Sequence, residues 1–318
     1  MSRHVDSIKT HNRFLLQAGY KPRTVNDYLR AVDLFIKWCD DNLIRNESCS
    51  TPELLDELLT DYFHDYYQLN NGKGKQNAAN TIAGICMLMP RMKGKLLTAS
   101  AAVNGWRALR PPESYPPITW ELSCAVAVQM QRHGHTRWAV ATLLTHDCFL
   151  RISELTSLRK EHIIDSSDSR FGSDYTGMTI VIPNAKGGKD QSVGVMNPQV
   201  IRLVRAVVHS TAAGGLLFPG GPSSFRRVFN DICAELNLSS DYSPHSLRHG
   251  GASMCYMRGM SVEDILIRGR WKSTQSLRTY IKTLKAKLAA MKAPASVADA
   301  GSIIATDIMK WLSLARTH

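Results

Sequence analysis

The chain has 318 residues, which suits two domains better than one, and 44% of them are hydrophobic, enough apolar mass for two cores. Its formal net charge of +12 predicts an anionic partner: nucleic acid, an anionic membrane surface or an acidic protein. No apolar run approaches membrane-spanning length, the first residues show no signal segment, and the seven cysteines include no CxxC pair. We therefore expect a soluble, intracellular protein without a membrane span or a zinc site.

The first hundred residues show helical patterns and no strand pattern. Apolar residues recur with a period of 3.6 from Thr24 to Asp41, which predicts a helix. A second helix is predicted to begin with Thr51 as N-cap and Pro52 at its first position, and to end near residue 67. Two more helices are expected at 77–88 and 96–109.

A basic stretch without Asp or Glu extends from Tyr66 to Pro112. Because it keeps helical periodicity, it is typical of a folded domain with one positive face, and nucleic acid is the favoured partner. A merely solvated basic face is the alternative. The side chains expected to contact DNA are Lys73, Lys75, Arg91, Lys93, Lys95 and Arg107.

A proline-rich segment follows at 110–118, with four prolines that favour extended backbone. It predicts a linker between a helical domain at 1–109 and a second domain at 119–318. In the second domain, helices are expected at 120–132, 137–148, 198–209 and 223–236. Two short β-type runs, 177–183 and 191–195, flank a Gly-Gly turn and predict a hairpin.

The densest chemical pattern lies at Ser243-Pro244-His245-Ser246-Leu247-Arg248. Ser243 and Pro244 predict a helix start, which places His245 and Arg248 one turn apart on the same face. A helix N-terminus attracts phosphate, and an arginine fork binds it with two parallel hydrogen bonds. An exposed His and Arg on a surface helix is the alternative for this short motif alone.

Tyr280 is expected near the middle of a helix running from Thr274 to about residue 285, where a tyrosine usually packs. A nucleophilic tyrosine would need a nearby cation and a proton acceptor, which Arg248 and His245 could supply. Arg151 and Glu154 stand three residues apart, either as a surface ion pair or as an active-site arginine oriented by a carboxylate. Lys186 and Lys189 lie on the hairpin turn.

These motifs, in this order and spacing, resemble the tyrosine recombinase (phage integrase) family over roughly residues 120–285. The resemblance rests on Leu150-Arg151-Ile152-Ser153-Glu154-Leu155, the lysine-bearing hairpin, His245-x-x-Arg248, Gly269-Arg270-Trp271 and Tyr280. The Gly-Gly-Ala and Gly-Arg-Trp-Lys-Ser runs look most like recombinases of eukaryotic Crypton and DIRS mobile elements. One departure is Cys148-Phe149, where many members have a Gly-containing turn.

The resemblance implies a mainly α fold with a small β-hairpin or sheet: an N-terminal helical core-binding domain and a C-terminal mixed α/β catalytic domain. It implies that Tyr280 attacks a DNA phosphate to give a 3′-phosphotyrosyl link, without metal or cofactor. Arg151 and Arg248 would hold the non-bridging oxygens, and His245 would handle the tyrosine proton. Lys186, with Lys189 in reserve, would act as general acid, Trp271 would contact the phosphate and Glu154 would support the site.

Partner and compartment also follow from the resemblance. Double-stranded DNA is the expected partner, and a homotetramer on paired sites would form by exchange of a C-terminal helix at about 302–316, which could instead dock on its own domain. The compartment would be the nucleus for a eukaryotic mobile element and otherwise the cytoplasm. Two other functions are open: a type IB topoisomerase with the same residues, and a domesticated, non-catalytic DNA-binding protein.

Overall fold

The chain divides into two compact units, Met1–Glu113 and Ser114–His318, in a computed structural model. The residues described are 14–44, 51–110, 115–165, 177–182, 191–278, 280–281 and 283–312. No helix in these ranges is both long and apolar enough to cross a membrane.

The first unit is helical throughout its described part. Its elements are α1 (Phe14–Ala18), α2 (Pro22–Asp41), α3 (Pro52–Leu69), α4 (Lys75–Leu88), a 3-10 turn (Pro90–Met92) and α5 (Leu97–Leu109). The Thr51 hydroxyl accepts a hydrogen bond from the Leu54 amide at 3.3 Å, so α3 has the predicted cap. Buried Asp56 accepts bonds from the Thr98 and Ala99 amides at 2.8 and 2.9 Å, which satisfies the start of α5.

The core of this unit contains the aromatic side chains of Phe35, Tyr62, Phe63 and Trp106 among aliphatic ones. The Tyr62 ring contacts the Phe35 ring at 5.3 Å and the Phe63 ring at 5.5 Å between centroids. The Trp106 indole N–H donates to the Gly72 carbonyl at 2.9 Å, so the polar end of this buried ring is satisfied. The apolar stripes of the sequence therefore meet in one core, and the basic side chains stay outside it.

The second unit combines helices with one small sheet. Its helices are α6 (Trp120–Arg132), α7 (Thr136–Cys148), α8 (Ile152–Leu155), α9 (Pro198–His209), α10 (Gly221–Glu235), α11 (Pro244–Met257), α12 (Val262–Gly269), α13 (Thr274–Arg278), α14 (Thr283–Ala290), α15 (Ala295–Thr306) and α16 (Ile308–Trp311), with a 3-10 turn at Lys160–His162. Its strands are β1 (Ile163–Asp165), β2 (Met178–Ile182) and β3 (Gln191–Gly194).

The sheet has the antiparallel order β1-β2-β3, with Ile180 opposite Ile163 on one side and Val193 on the other. The fold is thus mainly α with a small sheet, as predicted, and the expected hairpin strands are β2 and β3. β1 was not predicted, because three residues carry too little alternation to identify a strand. The turn of the hairpin, with Lys186 and Lys189, lies outside the described residues.

Two adjacent glycines allow α11 to lie deep in this unit. A Cβ at Gly250 would stand 1.9 Å from the Ile118 carbonyl oxygen, and one at Gly251 would stand 2.0 Å from the His146 carbonyl oxygen. Larger residues at these positions would push α11 away from α7 and from the chain before α6. The glycines therefore set the depth of the helix that carries His245 and Arg248.

The C-terminal segment differs from its prediction. Instead of one helix at about 302–316, the structure has α15 and α16, interrupted at Asp307, and residues 313–318 lie outside the described residues. Ile304, Ile308 and Leu312 are buried in the main core of their own unit, and the Ile308 amide donates to the Gln199 side chain at 2.6 Å. In the single chain these three side chains thus pack on their own unit, whereas Trp311 is 38% exposed.

Candidate active site

Tyr280 lies in a cluster of aromatic rings rather than in the middle of a helix. α13 ends at Arg278, and the Tyr280 amide donates to the Leu277 carbonyl at 2.8 Å in a turn, so the prediction of a continuous helix was wrong. Its ring stacks on His249 at 4.4 Å between centroids and contacts Trp271 at 4.7 Å and His245 at 5.5 Å.

Arg248 lies beside this cluster and is completely buried. Its guanidinium carbon stands 4.4 Å from the centre of the Trp271 ring and 5.5 Å from the centre of the Tyr280 ring. Its two terminal nitrogens donate to the carbonyls of Phe149 and Gly269, the second at 2.5 Å. Backbone oxygens and an aromatic face, rather than a carboxylate, therefore hold this cation.

The N-terminus of α11 positions His245. The Ser243 hydroxyl accepts from the His245 amide at 3.2 Å, and the Ser243 amide donates to the Ser246 hydroxyl at 3.1 Å, which forms the predicted cap. The Tyr115 ring packs edge-on against His245, with 6.1 Å between centroids. The imidazole is therefore held between Tyr115 and Tyr280.

The carboxylate of Glu154 joins two arginines. Its Oε1 accepts from Arg151 Nη1 at 2.6 Å, and its Oε2 accepts from the Arg151 amide at 2.9 Å and from Arg270 Nη2 at 2.7 Å. Glu154 and Arg270 side chains are each 3% exposed, whereas the Arg151 side chain is 26% exposed. The Arg151–Glu154 pair is thus part of a buried network, and Arg151 is the member that reaches solvent.

Phe149 supplies a backbone carbonyl to this network from an unusual conformation. Its φ of 51° is left-handed, the region that glycine favours, and its carbonyl accepts from both Arg248 and Arg270. The residue that departs from a Gly-containing turn in the sequence therefore adopts the backbone conformation of one. Its buried ring, which packs 6.1 Å from that of Trp271, helps to offset the strain.

Burial and mutual repulsion shift the pKa values of these groups. Burial, followed by the charges of Arg151 and Arg270, lowers the pKa of Arg248 to about 9. Burial, followed by Arg248 and Arg151, lowers the pKa of His245 to about 4, so its imidazole is neutral at pH 7. Burial alone would raise the pKa of Glu154, but Arg270 and the hydrogen bonds from Arg151 hold it below its ordinary value, and the carboxylate stays ionised.

Comparison with known proteins identifies the family. The model of the phage integrase family matches residues 125–287, about half of the chain, and spans every residue of this cluster except Tyr115. The chain belongs to the phage integrase family. A curated relative, the integrase/recombinase y4qK of Sinorhizobium fredii, is 27% identical over 152 residues, which cover 46% of each protein. The match thus spans about half the length of that relative.

Two solved structures share the fold. A lambda integrase dimer bound to a COC′ core site has a TM-score of 0.59 at 13% identity, covering 88% of this chain and 95% of that one. The Tn1549 transposon integrase in complex with transposon right end DNA has a TM-score of 0.58 at 13% identity, covering 91% and 99%. At this identity the likeness concerns the fold alone, a helical one with a small antiparallel sheet.

The structure of this integrase-family chain brings together most of the predicted site residues. Arg151, Glu154, His245, Arg248, Trp271 and Tyr280 surround one location, although they come from four separate parts of the sequence. Lys186 lies outside the described residues. Among the described residues, no group of three or more His, Cys, Asp or Glu is arranged to hold a metal ion.

Sequence reasoning missed His249, Arg270 and Phe149. His249 directly follows Arg248, but only the tertiary fold shows that its ring stacks on Tyr280. Arg270 was noted only as part of the Gly269-Arg270-Trp271 run, and its partner Glu154 is 116 residues away in sequence. The side chain of Phe149 suggested a departure from the family, whereas its contribution is a backbone oxygen.

The basic residues expected to contact DNA lie in the first unit, outside its core. Lys75 is half-buried and donates to the Arg110 carbonyl at 2.5 Å. The other five have exposed side chains: Lys73, Arg91, Lys93, Lys95 and Arg107, the last of which donates to the Asn104 side chain at 3.1 Å. Long, exposed cations of this kind can reach an anionic surface.

Proposed function

We propose that this protein is a site-specific DNA recombinase or integrase that cleaves and rejoins double-stranded DNA through a covalent link to Tyr280. The observation that carries the proposal is the convergence of one half-buried tyrosine, a neutral imidazole and a buried arginine. The Tyr280 ring lies 5.5 Å from the His245 ring and 5.5 Å from the Arg248 guanidinium. A tyrosine becomes a nucleophile when a nearby group accepts its proton and a cation favours its anion.

The charge of the site favours a phosphodiester as ligand. Arg151, Arg248 and Arg270 carry three positive charges, and Glu154 is the carboxylate that pairs with two of them. The repulsion that helps to lower the pKa of Arg248 is relieved when an anion approaches. A phosphoryl transition state spreads negative charge over its non-bridging oxygens, which fixed arginines stabilise.

The chemical step can be written with the residues of this chain. The Tyr280 oxygen attacks the scissile phosphorus, the bond to the 5′-oxygen breaks, and a 3′-phosphotyrosine and a free 5′-hydroxyl form. Neutral His245 receives the tyrosine proton, and Arg151 and Arg248 hold the non-bridging oxygens. Because both terminal nitrogens of Arg248 already bind backbone carbonyls, its buried Nε, which has no hydrogen-bond partner among the described residues, would donate to the phosphate. Trp271, whose indole N–H is buried and has no hydrogen-bond partner among the described residues, would donate to the phosphate.

Lys186 would act as the general acid that protonates the departing 5′-oxygen, and Lys189 is the alternative. The phosphotyrosine conserves the energy of the cleaved bond, so rejoining by the 5′-hydroxyl requires no nucleotide cofactor. The reverse reaction uses the same groups in opposite roles.

Several finer features belong to the proposal. The exposed basic stretch of the first unit would hold the DNA backbone, as part of a core-binding domain at 1–109 that the 110–118 linker joins to a catalytic domain at 119–318. A tetramer would assemble on paired sites, and exchange of the C-terminal segment would require α15 and α16 to leave the core on which they pack. A Crypton- or DIRS-type mobile element as source, with a nuclear location, also stays a prediction.

The experiment that tests the function is capture of the covalent intermediate. A duplex nicked close to the scissile phosphate loses the short 5′-hydroxyl strand after cleavage, which traps the adduct. We expect a denaturation-resistant protein–DNA adduct in the wild type and none in Tyr280→Phe, which keeps the packed ring but lacks the nucleophile.

Three outcomes separate this function from its alternatives. Exchange of strands between two duplexes supports a recombinase. Relaxation of supercoiled DNA without any strand exchange would indicate a topoisomerase. DNA binding without an adduct on any substrate would indicate a non-catalytic DNA-binding protein.

A further inference from the structure

Arg151 and Arg248, which are proposed to hold the phosphate, are called the phosphate clamp. We propose that Arg270 is a positioning residue of this clamp: it fixes Glu154 and, through Glu154, the guanidinium of Arg151. This inference rests on the proposed function, because it concerns the same phosphodiester site. Arg270 itself does not touch the substrate in this proposal.

The first support is that two arginines, Arg151 and Arg270, donate hydrogen bonds to the Glu154 carboxylate. The Oε1 of Glu154 accepts from Arg151 Nη1 at 2.6 Å, and its Oε2 accepts from the Arg151 amide at 2.9 Å and from Arg270 Nη2 at 2.7 Å. Both bonds from Arg151 are local, three residues away in sequence, whereas Arg270 joins the carboxylate to a distant part of the chain by a charge-assisted hydrogen bond. Arg270 thus anchors the carboxylate that holds the Arg151 guanidinium.

The second support is the difference in exposure between the two arginines. The Arg151 side chain is 26% exposed, so part of its guanidinium can meet a ligand. The Arg270 side chain is 3% exposed, and its polar contacts are with Glu154 and with the backbone carbonyls of Phe149 and Arg268. Of the two arginines that bind Glu154, Arg151 is therefore the one that a ligand can reach from solvent.

The third support is that Arg270 also reaches the second clamp residue. Its Nη2 lies 3.3 Å from the Phe149 carbonyl, which accepts from Nη1 of Arg248 as well. The buried Arg270 guanidinium therefore contacts both the carboxylate that binds Arg151 and the carbonyl that binds Arg248. Loss of Arg270 would loosen two groups that must act on one phosphate together.

The fourth support is the backbone of Arg270 itself. Its φ of 55° is left-handed, a conformation that is strained for a residue other than glycine. Both terminal nitrogens of its buried side chain donate hydrogen bonds, to Glu154 and to two backbone carbonyls, and these bonds help to offset the strain. The same geometry gives a useful variant, since Arg270→Gly removes the guanidinium and relieves the backbone at once.

The test is single-turnover cleavage of the nicked duplex by Arg270→Gly, Glu154→Gln and the double variant. We expect Arg270→Gly to lower the cleavage rate at saturating DNA about 10- to 100-fold, without change in the half-saturating DNA concentration. Loss of a residue that orients a metal ligand lowers metal affinity or activity by a similar factor in metalloproteins. Because both residues act on Arg151 as a unit, the double variant should be no slower than the slower single variant. Arg270→Lys should recover part of the rate, since it keeps a charge beside Glu154.

The control is Arg205→Ala, which breaks another arginine–carboxylate pair of this unit, to Asp165 at 3.0 Å, and should leave the rate unchanged. Wild-type cleavage by Arg270→Gly, or additive losses in the double variant, would overturn the inference while the function stands. A rate loss that only follows the loss of folded protein, in both Arg270→Gly and Arg270→Lys, would overturn it as well. If the wild type forms no adduct through Tyr280, the proposed function fails and this inference falls with it.

Discussion

The imidazole of His249 stacks on the phenol ring of Tyr280, with 4.4 Å between centroids and 22° between planes. The preceding residue, Arg248, places its guanidinium 5.5 Å from the centre of the same ring. Two successive residues of α11 therefore hold the proposed nucleophile from different directions. The Ser253 hydroxyl, one turn further along, donates to the Tyr280 carbonyl at 3.1 Å and fixes the backbone as well.

We predict that His249 acts on Tyr280 through packing. His249→Ala should lower the cleavage rate about 2- to 10-fold, because an aromatic pair contributes roughly 0.5–1.5 kcal/mol. His249→Phe keeps a ring in the same place and should cleave at close to the wild-type rate. Rates of adduct formation measure both variants. A Phe variant as slow as the Ala variant would mean that the imidazole nitrogens, not the ring, matter.

Arginine geometry should matter more than charge at the two clamp positions. Arg151→Lys and Arg248→Lys should each slow cleavage about 100- to 1,000-fold, because a lysine ammonium does not reproduce a planar guanidinium with donors in several directions, and at position 248 it could not bind both backbone carbonyls and the phosphate. The measurement is single-turnover cleavage at saturating DNA, with thermal unfolding to verify folding. Near-normal rates in both variants would place the phosphate clamp elsewhere.

Salt dependence should reveal the DNA-binding face of the first unit. Changing Lys73, Lys75, Lys93 and Lys95 to Gln should weaken DNA binding and flatten the plot of log affinity against log salt, by about 0.9 for each phosphate that the variant no longer neutralises. Lys21→Gln/Lys37→Gln is the matched control, since these lysines are exposed in the same unit but lie outside the acid-free stretch. If the plots of log affinity against log salt had equal slopes for the quadruple variant and the wild type, DNA would bind to another surface of the protein.

Local signals predicted much of the fold. Thr51 with Pro52 and Ser243 with Pro244 identify helix starts from two neighbouring residues, and the structure places both helices there. At these helix starts the chemistry that decides the structure lies within a few residues in sequence. The linear order of the family motifs selected His245, Arg248 and Trp271, which the structure places beside Tyr280, although it did not select His249.

Features that depend on distant partners were not predictable in the same way. The sequence predicted one helix from Thr274 to about residue 285, but Tyr280 lies in a turn, and its carbonyl accepts a hydrogen bond from Ser253, 27 residues earlier in sequence. The shared carboxylate of Glu154 requires Arg270, which no local pattern connects to it. Such contacts follow only from the packing of α8, α11 and α12.

A buried histidine outside the active site should make stability depend on pH. His146 is completely buried against the Ile118 carbonyl, and burial lowers its pKa to about 4 from an ordinary value near 6.5. Between these values the unfolded chain binds the proton more readily, so stability is fully present above about pH 6.5 and is lost as the pH falls towards 4. His146→Gln should reduce this slope in urea unfolding measured from pH 4 to 7. An unchanged slope would assign it to other groups, among them His245, whose pKa is lowered in the same direction.

The C-terminal segment should contribute to the stability of its own unit. Ile308 and Leu312 are 0% and 1% exposed, so Ile308→Ala and Leu312→Ala should each lower the free energy of unfolding by about 2–5 kcal/mol. Ile303→Ala is the control on the same segment, because that side chain is 61% exposed and its loss should be close to neutral. Urea unfolding of the free protein measures all three. If the segment instead serves to bind a neighbouring copy, Ile308→Ala should leave the unfolding of the monomer unchanged and should weaken assembly on paired DNA sites.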